Sequence, residues 1–440
     1  ISISLTFDQN FKFLIPITII LIPAFLGIFY GLITLCFIIS KPKKIVSSFF
    51  SFSLFFGIFE FIRGSILTGF PWNLIAYSFS NHLEILSITS FIGTYGFNLF
   101  CISLFTSPAV FILRDSKKDI WVCIVFLMMP LLFYMHGSSY KETFNTSDVI
   151  SYNYKVRAIG SNISLDRFYS NIDPASAIND LIEISEPNKN EKTIFVWPEG
   201  ILPEISQKEL FEYKWLFEKR FDKNHLLLIG INNQTTNKES INYFNSLSIY
   251  DHNLELLNFY NKVDLVPFGE FLPFEDKLKA LGLRSITNNY QSFSKGNIRE
   301  IIEINREGFS IKILPLICYE IIYSGKIFSN SNFDLIINIS EDGWFGKSIG
   351  PKQHFAHSIF RAVESGKYLL RSANNGIAAI INPLGIVEQK IEYGESGFID
   401  FKEAKKIQPT LFSKYGNKIF IILILLYIFI IFSFNRTKNE

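Results

Sequence analysis

Cysteine is scarce. The chain of 440 residues holds four: Cys36, Cys101, Cys123 and Cys318. The first three sit in long apolar runs, where a thiol usually serves as a small hydrophobe. Cys318 alone lies in the more polar region of the sequence, so no disulfide framework can be drawn there. Excess charge is missing too. Forty-two Lys and Arg against forty Asp and Glu leave a net charge of +2. No Lys/Arg block offers the footprint that a phosphate backbone requires, so a nucleic-acid partner is not expected. A basic n-region followed by a small-residue cleavage site is absent. The chain starts at Ile1 rather than Met, from which we expect an incomplete N-terminus. There is no internal repeat and no low-complexity linker.

What is abundant is apolar bulk: 48% hydrophobic residues and 16% aromatic. Five long apolar runs cover roughly 11–39, 46–62, 84–113, 120–135 and 417–434. A helix needs about 20 apolar residues to cross ~30 Å of hydrocarbon, and four runs approach or exceed that length. The first contains Pro16 and Pro23, which permits one kinked span or two short ones. The run 46–62 ends at Glu60 and Arg63. An ionisable pair at that depth should face protein or water, or form a helix-end pair with Arg63 snorkelling. "KPKK" (41–44), "RDSKKD" (114–119) and "NRTKNE" (435–440) fall on one side if each run crosses once. The positive-inside tendency makes that side cytoplasmic. The segment 64–83 and the block 137–416 then lie outside.

That block reads differently. Short apolar runs at 155–160, 193–199, 225–231, 245–251, 309–320, 333–340 and 376–383 have the continuous hydrophobicity of strands covered on both faces. Residues 174–185 and 351–373 read as helices. The pattern predicts an α/β sandwich with its own core. The expected division is 1–136 membrane domain, 137–416 extracytoplasmic domain, and 417–440 a last span with its tail.

Polar groups stand at the strand ends, where α/β folds carry their active groups. Glu199 follows "FVWP", Lys262 lies in "YNKVDLVPFGE" with Glu270 eight residues on, and Cys318 ends "IKILPLI". A thiol attacks as thiolate, and its ordinary pKa near 8.5 leaves little ionised at neutral pH. A carboxylate could take the proton, and an ammonium could steady the resulting oxyanion. Spacing alone does not require this. A cysteine closing an apolar strand is more often inert core, and Glu199 and Lys262 could be ordinary surface charges. His354 and His357, three apart, lack a third ligand for a metal and are expected in structural or surface roles.

Longer motifs add weight. "VWPEG", "NKVDLVPFGEFLP", "LICYE", "NISEDGWFG" and "GPKQHFAHSIFRAVESGKYLLRSANNGIAAIINPLG" occur in this order. Together they resemble the nitrilase (carbon–nitrogen hydrolase) superfamily, whose signature is Glu, Lys and Cys in that chain order. With "FEFIRGSILTGFPWNLIAYS" at 59–78, the similarity is closest to its membrane-embedded branch, the apolipoprotein N-acyltransferases. The resemblance implies a nitrilase-like αββα sandwich joined to a multi-span α-helical membrane domain. It implies that Cys318 takes an acyl chain as a thioester, Glu199 is the base and Lys262 supports the oxyanion. By the same likeness Glu270 and Glu320 orient the lysine and assist proton traffic, and Tyr319 is the aromatic neighbour of the thiol. Asn245 matches a polar position near the pocket, and Trp344 and Phe345 shape it. The implied donor is a phospholipid, commonly phosphatidylethanolamine, and the implied acceptor is a diacylated lipoprotein. No cofactor or metal is implied. The implied location is the inner membrane of a bacterium, multi-pass, with the catalytic domain in the periplasm and the chain a monomer.

Two features depart from the family pattern. Relatives have about eight spans, where five are read here. Many also carry a Gln-Gly-Asn motif followed by tryptophan, where this chain has "GSNISLDRFYSN" (160–171), leaving Phe168 or Tyr169 as substitutes. Two rival readings stay open on the sequence. A membrane-anchored amidase acting on small amides would need one span rather than about five. An inactive scaffold or transporter would not need Glu199, Lys262 and Cys318 all intact.

Overall fold

The computed structural model describes all residues except 1–3, 7–8, 170–172, 238–239, 281–291, 327–331 and 437–440. Ile1 and the end of the C-terminal tail, on which expectations were placed, lie outside the described residues. Among the described residues five helices are long and apolar enough to cross a membrane. They are α1 (Ile15–Ser40), α2 (Ile45–Arg63), α4 (Thr89–Leu113), α5 (Ile120–Asn145) and α11 (Lys418–Arg436); α3 is a single turn, Leu83–Leu86. The first apolar run is one helix, with Pro23 inside it. Glu60 and Arg63 correct the snorkelling expectation. They form a buried ion pair, and Arg63 Nη1 donates to the Phe70 carbonyl at 2.7 Å and to Asn73 Oδ1 at 2.6 Å. A charge at that depth is tolerated because protein, not lipid, surrounds it.

The remainder is built on one large sheet. Its strands are β1 (Val149–Ser161), β2 (Thr193–Val196), β3 (Leu202–Ser206), β4 (His225–Asn237), β5 (Ser240–Asp251), β6 (Leu256–Asn261) and β7 (Ile302–Arg306). The rest are β8 (Phe309–Ile317), β9 (Leu335–Glu341), β10 (Tyr368–Asn374), β11 (Ala378–Ile381), β12 (Val387–Ile391) and β13 (Gly397–Lys405). The main path runs β6-β5-β4-β2-β1-β10-β9-β8-β7. From β4 to β8 every neighbour pair on it is parallel. Parallel strands buried on both faces explain the unbroken apolar runs "TIFV" and "LIINIS". β5 is antiparallel to β4, and β6 to β5. Two reversals return β6 to the direction of β2. The C-terminal ends of β2, β6, β8 and β9 therefore share one edge of the sheet.

Helix α6 (Pro174–Ser185) begins at Asp173, whose side chain accepts from Ala175 N, and buries Ile178, Leu181 and Ile182. They join Phe195, Trp197 and Phe217 in one core. A second core runs without a break from Phe49, Phe97 and Phe420 of the apolar helices to Ile313, Ile337 and Phe360. Helix α9 (Gly350–Ser365) lies in that second layer. The single helix expected over 351–373 is corrected here. Gly366 takes φ 66° and ends it, and 368–374 form the fully buried strand β10. The left-handed turn suits glycine, and "YLLRSAN" pairs on both sides instead of continuing the helical period.

Where α9 meets α4, Gly93 breaks α4 with φ 69°. A Cβ there would lie 2.0 Å from Phe412, so only glycine fits. The freed N–H of Thr94 donates to Glu364 Oε1 at 2.7 Å, and Ser324 Oγ donates to the same oxygen at 2.6 Å. Arg361 pairs with Glu364 at 2.9 Å, both fully buried. Helix α4 and helix α9 are thus joined by polar bonds as well as by apolar packing.

Candidate active site

Each group predicted at a strand end arrives at the shared edge. Pro198 stops β2, and Glu199 follows it. β4 passes so closely beneath that a Cβ on Gly230 would lie 2.6 Å from Glu199 Cα. Lys262 follows β6. Asn245 lies in the opening half of β5, opposite Asn232 of β4. Glu270 is carried by the loop after Lys262, its backbone N–H donating to the Val266 carbonyl at 2.8 Å.

These four side chains interlock. Lys262 Nζ donates to Glu199 Oε1 at 3.0 Å and to Glu270 Oε1 at 3.0 Å. Asn245 Nδ2 donates to the same two oxygens, each at 2.7 Å. Glu270 Oε2 accepts from Val266 N at 2.8 Å, and Glu199 Oε2 accepts from Glu341 N at 3.0 Å. One ammonium facing two carboxylates leaves an excess negative charge. Glu199 Oε1 carries two donors and Oε2 only one, so Oε2 keeps a lone pair for a further proton.

Burial works against a charged Lys262, yet Glu199 and Glu270 outweigh it and hold the ammonium well above its ordinary pKa. Burial pushes the Glu270 carboxyl up; Lys262 opposes this and Glu199 reinforces it. Burial likewise raises the Cys318 thiol well above its usual range, Glu199 adding to the effect and Lys262 opposing it. The resting sulfur is therefore a thiol. Its alkylation by iodoacetamide is expected to keep climbing with pH through the ordinary thiol range, near ~8.5. A rate that levels off below about pH 8 would show a thiolate already formed and would contradict this reading.

Cys318 does not continue β8. It opens a 3₁₀ turn, Cys318–Ile322, with φ 47°. Glu320 sits apart from the lysine amine and ties backbone instead. Its Oε2 accepts from Ile317 N at 2.8 Å. Its Oε1 accepts from Val263 N at 2.9 Å, Tyr260 Oη at 2.7 Å and Arg299 Nη2 at 2.8 Å. Glu320 thus laces the thiol-bearing turn to the segment just after Lys262. Tyr319 Oη donates to the Gly69 carbonyl at 2.9 Å, and Tyr323 Oη donates to Thr68 O. Both bonds dock the 64–74 loop, which leaves α2, onto the same turn.

Glu199, Lys262, Asn245, Glu270, Cys318 and Tyr319 line one cavity of about 490 Å³. Six aromatic rings stand in its other walls: Phe70, Trp72, Phe168, Phe293, Trp344 and Phe345. Trp72 Nε1 donates to Gln353 Oε1 at 2.9 Å, and Phe168 meets Trp344 with ring centroids 5.0 Å apart. Of the two candidates to replace the missing tryptophan, it is Phe168 that lines the cavity.

Three features went unread in the sequence. Arg167 forms a buried ion pair with Glu341, the residue whose N–H holds Glu199. Arg299 meets Glu320 and Asp264. His354, expected in a structural or surface role, is fully buried, lines the cavity and meets the Cys318 carbonyl at 3.3 Å, a contact that the sequence did not show. His357 is also fully buried, against Trp72 and Tyr77. No spacing rule reports contacts made across a sheet. No group of three or more His, Cys, Asp or Glu able to hold a metal ion occurs among the described residues.

Comparison with known proteins gives two family matches. Residues 184–400 match the carbon-nitrogen hydrolase family, and residues 2–105 match the apolipoprotein N-acyltransferase N-terminal domain. A relative in Rickettsia bellii is 32% identical over 386 residues, covering 87% of this chain and 75% of its own length. One in Rickettsia typhi is 30% identical, covering 93% and 80%. One in Rhodopseudomonas palustris is 28% identical, covering 93% and 77%. Each bears the name apolipoprotein N-acyltransferase. Among solved structures, an amidase from Nesterenkonia sp. AN1 is similar at a TM-score of 0.39 and 15% identity, covering 57% of this chain and 91% of its own. The carbon-nitrogen hydrolase match covers the sheet from β2 into β13, and the expected nitrilase-like α/β class joined to apolar helices is the class found.

Proposed function

The chain belongs to the apolipoprotein N-acyltransferase family, and on that premise we propose how its own residues carry the reaction. It is a membrane acyltransferase that N-acylates lipoproteins. In our reading the donor is a phospholipid such as phosphatidylethanolamine. Cys318 Sγ attacks the carbonyl carbon of an acyl ester as its proton passes to Glu199. The carbonyl oxygen becomes an oxyanion facing the Lys262 ammonium. The C–O bond then breaks, the departing alkoxide takes the proton from Glu199, and a lysophospholipid leaves behind a thioester. In the second half, the α-amine of a diacylglyceryl-cysteine attacks the thioester. Glu199 takes a proton from that nitrogen, the C–S bond breaks, and the sulfur recovers its proton. The product is an amide, and the thiol is restored.

The observation that carries this reading is the cavity. One wall holds a thiol, an ammonium and two carboxylates, and another is supplied by the aromatic loop leaving an apolar helix. Both substrates carry acyl chains. Each buried CH₂ is worth about 0.8 kcal/mol, so a site fed from the bilayer avoids extracting them. We assign the protein to a bacterial cytoplasmic membrane as a monomer, with 41–44 and 114–119 on the cytoplasmic side. Residues 137–416 then face the periplasm, between the membrane domain of residues 1–136 and the last span 417–440.

The test supplies the solubilised chain with phosphatidylethanolamine bearing a deuterated acyl group, together with a synthetic diacylated lipopeptide. The expected result is a labelled acyl mass on the peptide's α-amine and an equal amount of lysophospholipid. Labelled free fatty acid with no gain on the peptide would mean that water is the acceptor and would overturn the proposal.

A further inference from the structure

Cys318 holds its side chain on a left-handed backbone, φ 47°, which an L residue adopts only when its surroundings over-determine it. The N–H before it is fixed by Glu320. The carbonyl that follows faces His354 Nε2 at 3.3 Å. His354 comes from α9, fully buried, with the Trp72 ring stacked beside it at 5.6 Å. Its other nitrogen, Nδ1, lies 2.8 Å from Asp342 Oδ1 and 3.1 Å from Arg371 Nη2.

Asp342 is itself held firmly. Arg371 Nη2 reaches both its oxygens, at 3.0 and 2.8 Å, and Ser340 Oγ donates at 2.7 Å. Burial lowers the His354 pKa, with Asp342 opposing. A carboxylate and a carbonyl only accept, so Nδ1–H donates to Asp342 and Nε2–H to the Cys318 carbonyl; the ring makes both bonds when it carries two protons, the form that the Asp342 charge favours.

We propose that His354 is a positioning residue for the nucleophile: anchored by Asp342 and Arg371, it grips the carbonyl of Cys318 and so fixes the turn on which the sulfur is presented. The proposal rests on the acyl-transfer reading above, whose steps do not use this residue.

The test follows acylation of Cys318 by peptide mass spectrometry, in the full solubilised chain at saturating phosphatidylethanolamine. His354→Gln places an amide N–H near the position of Nε2, whereas His354→Asn places one near Nδ1, short of the carbonyl. The glutamine variant is expected to acylate within about tenfold of the parent and the asparagine variant about a hundredfold slower, the scale of a ~1 Å misplacement. Apparent affinity for the phospholipid and the melting temperature should stay near those of the parent in both. An asparagine variant that acylates at the parent rate would overturn the proposal. So would equal slowing of both variants, the outcome if the ring serves only to pack beneath Trp72. Should the asparagine variant lose cooperative melting, His354→Met, of similar bulk and without a donor, takes its place with the same expectation. The parent is the control. A parent that never acylates Cys318 refutes the acyl-transfer reading, whereas a competent parent beside an unimpaired donorless variant refutes only the role of His354.

Discussion

A Lys262→Met chain is expected to lose thiol acylation and about 3–5 kcal/mol of stability, the cost of stranding buried charge. Lys262 is 1% exposed, and its ammonium is 3.0 Å from both Glu199 and Glu270. Without it, two buried carboxylates share only the Asn245 amide. Like charges at that range cannot both stay ionised, so one carboxyl must take up a proton. Activity and stability separate in a second variant. Adding Glu270→Gln removes one of the stranded charges and is expected to recover some of the lost stability. Acylation should stay absent, because no cation then faces the oxyanion. Melting curves and acyl mass on Cys318 read the two effects independently. A Lys262→Met chain that melts and acylates like the parent would remove the lysine from the account.

Glu199→Gln is expected to leave melting within a few degrees and to slow thioester formation by about 10²–10⁴-fold, the range for losing a positioned general base. A glutamine oxygen can still accept from Lys262 and Asn245 at the Oε1 position. Its amide, however, meets the Glu341 N–H where Oε2 was an acceptor, and it cannot take a proton at neutral pH. The thiol is already held above its usual pKa by burial and by Glu199 itself. Removing that carboxylate should ease ionisation slightly while removing the proton's destination. Faster alkylation by iodoacetamide alongside slower acylation is the expected signature. Unchanged acylation would exclude Glu199 as the base.

Much of this was legible in the chain. Five apolar runs became five long helices because apolar length survives any context. Glu199, Lys262 and Cys318 were legible as strand-end polar residues in ordered motifs, and two strand reversals carry Lys262 to the edge that holds the other two. What escaped the sequence was decided by distant partners. Residues 351–373 read as one helix because "YLLRS" keeps the apolar density of the segment before it. A single left-handed glycine, Gly366, separates helix from central strand. Arg63 looked like a side chain reaching for the interface, but the acceptors that hold it, Phe70 O and Asn73, lie in the loop beyond the helix. The contacts of His354 carried no signal, since its partners Asp342 and Cys318 stand in turns just after β9 and β8, far from it in the chain.

The central claim is that the sulfur of Cys318 becomes an acyl thioester. The most direct measurement is the mass of the Cys318 peptide after the solubilised chain meets phosphatidylethanolamine without an acceptor. One acyl mass is expected on that peptide, removed by neutral hydroxylamine, and none in Cys318→Ser carried through the same steps. A parent chain that forms lysophospholipid at a steady rate with its Cys318 peptide never modified would contradict it.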